Sequence, residues 1–268
     1  MNTLDDLVAG ATEDCEKRQV ARPLAAVQAA VGTEVPRDVL TVWAGPDLAV
    51  ICEVKRASPS RGKLADVDDP ARLAAEYARG GASAISVLTE ERRFLGSLED
   101  LRAVRAAVDV PVLRKDFVVS EYQVWEARAY GADLVLLIAA ALDDAQLADL
   151  YQLTTELGMT ALVEVHDEEE AARAVELGAR LVGVNARNLK TLEVDRGTFT
   201  RVAPLLPDTV LKVAESGVRN ARDVRAYAEA GADAVLVGEA VVTGADTATA
   251  VAGLVEAGHS ARVRQNRL

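Results

Sequence analysis

Short apolar runs alternate with longer amphipathic stretches along most of the chain. The runs are Ala49–Val54, Ala84–Leu88, Val110–Leu113, Leu134–Ile138, Thr160–Val165, Leu181–Val184, Val210–Val213 and Ala234–Val237. Each holds mainly Val, Ile, Leu and Ala, the texture of strands buried on both faces. Helical patterns with readable ends fill the intervals. Asp69-Pro70 sets an N-cap before a proline at the first helical position. Ser120-x-x-Gln123 and Asp167-x-x-Glu170 read as capping boxes. Glycines at Gly80-Gly81, Gly131, Gly178 and Gly231 close last turns as left-handed caps.

Those closures recur as Gly-Ala-polar before the next strand: Gly81-Ala82-Ser83, Gly131-Ala132-Asp133, Gly178-Ala179-Arg180 and Gly231-Ala232-Asp233. The interval of about fifty residues is two strand–helix units, which predicts a barrel repeated in pairs. Helical return strokes make the sheet parallel. An open doubly wound sheet is the alternative, and the lack of Gly-x-Gly-x-x-Gly after the first strand weighs against its dinucleotide form. The expected fold is therefore α/β, a (β/α)₈ barrel over residues 49–257. Residues 1–48 form an N-terminal helical extension that ends at the Gly45-Pro46 turn, and 1–268 is one domain. The polar, basic tail after about Gly258 is expected to fray.

Composition narrows the function classes. With 268 residues, the chain suits a single eight-fold barrel, and the scarcity of aromatics disfavours a β-sandwich. Its 30 Lys and Arg against 42 Asp and Glu give a net charge of −12, which argues against nucleic acid and anionic membranes as partners. An anionic small molecule remains open, because a cleft has its own local field. Cys15 and Cys52 are far apart and form no Cys-x-x-Cys motif, so Cys52 reads as a small buried hydrophobe. The N-terminus lacks the features of a signal peptide, and no apolar stretch reaches the length of a membrane span. A cytoplasmic monomer is expected.

In such barrels the site lies where the strands end. The first run ends Glu53-Val54-Lys55-Arg56-Ala57-Ser58-Pro59-Ser60, and Glu53 and Lys55, two apart, point to one side of the strand. A structural ion pair is the plain alternative to a working one. The third run leads into Arg114-Lys115-Asp116-Phe117, the fifth into Glu164-Val165-His166, and the sixth into Asn185-Ala186-Arg187-Asn188. The seventh leads into Glu215-Ser216-Gly217 and the eighth into Gly238-Glu239. Polar ends on six of eight strands make a pattern that no single one does. The fourth ends without charge at Ile138-Ala139-Ala140, as either the wall of a ring pocket or plain core.

Gly217 and Gly238 leave backbone N–H groups open to an anion at the loops where barrels bind phosphate, although both could be mere turn residues. With only His166 and His259 in the chain, a histidine-built metal site is not expected. Two lysines among carboxylates suit proton transfer, with a lysine acting as acid if desolvation lowers its pKa. A Schiff base is also chemically open to them. His166 reads as a hydrogen-bonded loop residue that could assist.

The string Glu53-Val-Lys55-Arg-Ala-Ser58-Pro59-Ser60 resembles the signature of the indole-3-glycerol phosphate synthase family. So, in order, do Phe94-Leu-Gly96-Ser97, Pro111-Val-Leu-Arg-Lys115-Asp-Phe117, Leu162-Val-Glu164-Val, Gly183-Val-Asn185-Ala-Arg187-Asn188-Leu189 and Ala214-Glu215-Ser216-Gly217. The resemblance implies a lyase of tryptophan biosynthesis. It would close the ring of 1-(2-carboxyphenylamino)-1-deoxyribulose 5-phosphate with loss of CO₂ and water, and with no cofactor.

It further implies that Lys115 is the general acid, that Lys55 holds the departing carboxylate, and that Glu164 is the base of dehydration. Glu53 would orient Lys55, while Asn185 and Ser216 would bind hydroxyls or order the acid–base groups, supported by Glu215. Phe94, Phe117, Leu136 and Ile138 would line the anthranilate pocket, so the fourth strand becomes a ring wall. Ser58, Gly217 and Gly238 would meet the phosphate, helped by Arg187. Glu239 departs from the family pattern, which often has serine there, and a carboxylate would repel phosphate unless turned away. Two rival readings are a sugar-phosphate isomerase on the same barrel and a non-catalytic metabolite sensor. Neither calls for two lysines set among two glutamates.

Overall fold

The computed structural model describes residues 3–59, 62–64, 67–242 and 246–265. Eight parallel strands close into a barrel: β1 Ala49–Val54, β2 Ala84–Leu88, β3 Val112–Lys115, β4 Leu134–Ile138, β5 Thr160–Val165, β6 Leu181–Asn185, β7 Leu211–Glu215 and β8 Ala234–Val237. Each strand pairs with its neighbours in sequence, and β1 pairs with both β2 and β8.

Three of the eight runs are shifted. β3 starts at Val112 and not Val110, because Pro111 has no N–H to give the ladder and the Val110 carbonyl is taken by Arg37 Nη1 at 2.7 Å. β6 and β7 reach Asn185 and Glu215, which lie opposite each other in register. Polar residues can stay in these ladders because their side chains enter the lumen.

Side-chain alternation sorts every strand into two faces. The lumen is filled by Ala49 and Ile51, Ala84, Leu113, Leu134, Leu136 and Ile138, Leu162, Leu181, Val213, and Ala234 and Leu236. The intervening residues, such as Val50, Cys52, Ile85, Val112, Val163 and Val235, pack outward against the helices. Continuing the luminal face by twos gives Glu53 and Lys55, Lys115, Glu164, Asn185, Glu215 and Gly238. An aliphatic floor thus carries a polar upper layer.

The helices that connect the strands include α4 Pro70–Arg79, α5 Leu98–Ala107, α6 Glu121–Ala129, α7 Asp144–Glu156, α8 Glu168–Leu177, α9 Thr198–Val202, α10 Ala221–Glu229, α11 Glu239–Val242 and α12 Thr247–Gln265. The Asp69 cap forms as expected, with its carboxylate accepting from Arg72 N–H. The two capping boxes do not form in full. Asp167 caps its helix, accepting from Glu170 N–H at 2.9 Å, but the Glu170 carboxylate turns to the backbone N–H of His166, and Ser120 makes no cap bond and meets Cys15 Sγ at 3.2 Å. The polar residue of Gly-Ala-polar has a clear task in three repeats. Ser83 Oγ, Asp133 and Asp233 accept from Val50, Val112 and Lys212 N–H, tying each loop to an adjacent strand.

The extension comprises α1 Thr3–Ala21, α2 Leu24–Gln28 and α3 Val39–Trp43. α1 packs against α6 and the 3₁₀ turn Ala139–Ala141, which places it at the C-terminal mouth of the barrel. Leu4, Leu7 and Ala11 there join the luminal apolar cluster. The tail does not fray at Gly258. α12 continues to Gln265 because Leu254, Ala257 and Ala261 are buried, and Gly258 leaves room for Leu48.

Candidate active site

The polar layer contains two ion-paired groups. On β1, Glu53 is buried and its Oε1 lies 2.5 Å from Lys55 Nζ. Gly238 at the end of β8 makes space for this pair, since a Cβ there would come within 2.7 Å of Glu53 Oε1. On the opposite side, Lys115 Nζ lies 3.3 Å from Glu164 Oε2 and 3.5 Å from Glu215 Oε2. The other oxygen of Glu164 is 3.2 Å from His166 Nε2, and His166 Nδ1 is 2.9 Å from Glu170.

Electrostatics give these groups different states. Burial works against the Lys115 charge, but Glu164, Glu215 and Glu53 outweigh it and hold its pKa above the usual lysine value. The expectation that desolvation lowers this pKa is therefore corrected: the neighbouring glutamates outweigh the effect of burial. Burial also opposes ionisation of Glu164, yet Lys115, His166 and Asn185 keep it a carboxylate with a depressed pKa. Glu215 goes the other way. Burial first, and the nearby Glu164 charge second, push it up to about 8. Two adjacent carboxyls with opposite shifts hold one proton between them, on Glu215 at neutral pH.

A cleft of about 330 Å³ opens over this layer. Lys55, Lys115, Asn185 and Glu215 face it, with Glu53 behind Lys55. Phe94 and Phe117, their ring centroids 6.4 Å apart, form one wall with Leu7 of α1. Another side is formed by Ser58, Ser216, Gly217 and Gly238. Ser216 and Gly217 both have left-handed φ values, 65° and 79°, which turn the chain sharply at the end of β7. Arg187 also lines the cleft, and its Nη1 donates to Leu192 O at 3.0 Å, bracing its own loop.

Most of the residues expected from sequence meet here. Three do not reach the cleft surface. Glu164 is buried directly behind Lys115. Leu136 and Ile138 lie in the luminal floor and do not line the cleft, because the luminal face of β4 is apolar along its whole length. The apolar side of the cleft is formed by Leu7, Leu189 and Leu236 with the two phenylalanines. Ser60 of the first motif lies outside the described residues.

Sequence reasoning missed Leu7, Arg196 and Arg219, all of which line the cleft. Arg219 follows the Ser216-Gly217 turn closely enough to have been noticed. Leu7 and Arg196 arrive from distant chain segments, and nothing in their local sequence marks them. Glu239 also reaches the lining. Among the described residues no group of three or more His, Cys, Asp or Glu is arranged to hold a metal ion, and no helix is long and apolar enough to cross a membrane.

Residues 4–254 match the family described as indole-3-glycerol phosphate synthase. A protein of that name from Streptomyces griseus is 58% identical over all of both chains. One from Beutenbergia cavernae is 60% identical, again over the whole of both. One from Parafrankia is 61% identical over 96% of this chain and 97% of its own. Among solved structures, a 3-hexulose-6-phosphate synthase from Salmonella typhimurium superposes with a TM-score of 0.65 at 15% identity, covering 80% of this chain and all of the other. Another 3-hexulose-6-phosphate synthase gives 0.63 at 21% identity, over 78% of this chain and 99% of its own. These two share the barrel and nothing finer.

Proposed function

Since the chain belongs to the indole-3-glycerol phosphate synthase family, we propose the following roles for its side chains in that reaction. The chain is a lyase of tryptophan biosynthesis: it converts 1-(2-carboxyphenylamino)-1-deoxyribulose 5-phosphate to indole-3-glycerol phosphate, CO₂ and water.

Lys115 is the general acid of ring closure. Its neighbours keep it protonated, so it delivers a proton only as the sugar carbonyl oxygen becomes an alkoxide under attack by the aryl carbon. Lys55, aimed by Glu53 at 2.5 Å, holds the carboxylate that departs. Electrons left by decarboxylation flow into the cyclised ring, which is why the route asks for no cofactor. Glu164, ionised although buried, is the base of dehydration and acts through the Lys115 end of the cleft. Asn185 and Ser216 hold hydroxyls or order these groups, and Glu215 stores a proton beside them. Phe94, Phe117 and Leu7 clasp the anthranilate ring. Ser58 and the N–H groups of Gly217 and Gly238 take the phosphate, with Arg187 supporting the loop. Arg196 and Arg219 add positive charge on that side of the cleft.

The observation that carries this reading is the lysine set between two glutamates of opposite protonation, facing a cleft with an aromatic wall. Its test is turnover of the anilino-ribulose phosphate, followed by indole fluorescence and CO₂ release. Lys115→Ala and Glu164→Gln should each lose about a hundredfold or more in kcat. Turnover like that of the unaltered enzyme in either variant removes that residue from the mechanism.

The chain is one domain over residues 1–268, works as a cytoplasmic monomer, and takes neither nucleic acid nor membrane as partner. Its acidic balance and two free, buried cysteines support that placement. Sedimentation at micromolar concentration, read against a mass of 28.4 kDa, tests the monomer.

A further inference from the structure

We propose that His166, clamped by Glu170, is the positioning residue that decides which carboxyl of the Glu164–Glu215 pair is the base. This rests on the reading of Glu164 as the dehydration base and extends it to a residue that does not touch the substrate.

The two carboxyls share Lys115, at 3.3 Å and 3.5 Å, so the lysine alone barely distinguishes them. What differs is everything else around them. Glu164 has a cation near each oxygen: Lys115 donates to Oε2 at 3.3 Å, and His166 Nε2 lies 3.2 Å from Oε1 as an ion pair outside hydrogen-bond geometry. Neither oxygen of Glu215 accepts a hydrogen bond from any described residue. Its carboxyl sits in the slot left by the missing side chain of Gly183. Negative charge is therefore stabilised on Glu164 and a proton on Glu215.

His166 is built to remain an imidazolium. Glu170, one turn into α8, receives both the His166 backbone N–H at 2.8 Å and Nδ1 at 2.9 Å. The ring is thereby fixed with Nε2 toward Glu164. Burial opposes its charge, but the two glutamates raise its pKa to about 10. Beyond the ring lies a second, polar cavity lined also by Glu193, Asp195 and Arg201. Asp195 is paired with Arg201 at 2.9 Å. On the barrel side the groups facing Glu164 are Lys115, Glu215 and Asn185, and Glu53 acts on Lys115 and Glu215 behind them.

The test is the pH profile of kcat for His166→Gln and Glu170→Gln. Without the imidazolium Glu164 binds a proton more readily, so the acidic limb moves to higher pH, by about 1 to 3 units for a cation this close. Turnover of His166→Gln is therefore lost at a higher pH than in the unaltered enzyme as the solution is acidified, and it recovers as the pH is raised, with KM within twofold. Glu170→Gln shifts the limb the same way by less, and it carries the test if His166→Gln fails to fold. A limb that stays in place, or a loss equal at every pH, overturns the proposal. Glu164→Gln is run beside them. If it retains turnover, the assignment of the base itself has failed; if it is inactive and the limb is unmoved, only the role of His166 falls.

Discussion

The Glu215 carboxyl occupies the space that a side chain at Gly183 would fill: a Cβ on Gly183 would lie 1.9 Å from Glu215 Oε1. Gly183 sits in β6, where glycine gains nothing from a turn, so the missing side chain is its contribution. Gly183→Ala must push Glu215 out of line with Lys115 and Glu164. Overpacking of this kind costs about 1 to 3 kcal/mol. The expected result is a lower urea midpoint together with a fall in kcat of at least tenfold. A variant as stable and as active as the unaltered protein would show that the slot has no role.

Glu215 also makes stability depend on pH in a direction opposite to most carboxylates. Its folded pKa is raised from 4.5 to about 8, so between those values the folded state binds more protons than the unfolded state. Stability contributed by this group therefore falls as pH rises through that window. Glu215→Gln, uncharged and of the same shape, should gain Tm relative to the unaltered protein as pH increases from about 5 to 9. Parallel Tm curves across that range would contradict the buried, protonated state.

The strand alternation made much of this legible. Once Ile51, Leu113 and Leu162 are read as inward-facing, counting on by twos places Glu53, Lys115 and Glu164 in one layer, and all three were picked out from sequence. The same count explains a failure. Leu136 and Ile138 are inward-facing too, but they continue the apolar floor, and only the closed barrel reveals how high the cleft begins. Capping signals placed the helix start at Asp167 correctly but not the partner of Glu170, whose carboxylate takes the His166 N–H. Gly183 stood only at the head of a motif with no role given to it, because its effect is a volume that another strand's side chain fills.

Leu7 tests whether the N-terminal extension belongs to the site. It is buried on α1 yet lines the cleft near Phe94 and Phe117. Leu7→Ala should raise KM about tenfold, the equivalent of roughly 1.4 kcal/mol of lost apolar contact, and leave kcat within about twofold. A changed kcat at constant KM would mean that α1 acts on the chemistry and not on the ring.

Beneath Lys115 the outward face of β3 holds a charge network that should dominate the effect of mutation on stability. Arg114 is fully buried, with Nη2 at 2.9 Å from Asp116 and Nη1 at 3.4 Å from Glu126. Glu126 of α6 also binds Arg18 of α1 at 2.8 Å, so one carboxylate joins strand, helix and extension. Glu126→Leu leaves Arg114 with Asp116 as its remaining carboxylate in that network and removes the Arg18 contact made by Glu126. Breaking a buried pair in this way costs about 3 to 5 kcal/mol. By contrast, the surface Glu76–Arg79 pair on α4, half-buried at Glu76 and exposed at Arg79, should change stability by less than about 1 kcal/mol when Glu76 is replaced by Ala. Urea denaturation of both variants measures the difference. Equal losses would mean that the buried network carries no more than a surface ion pair, and that α1 is held by its apolar face alone.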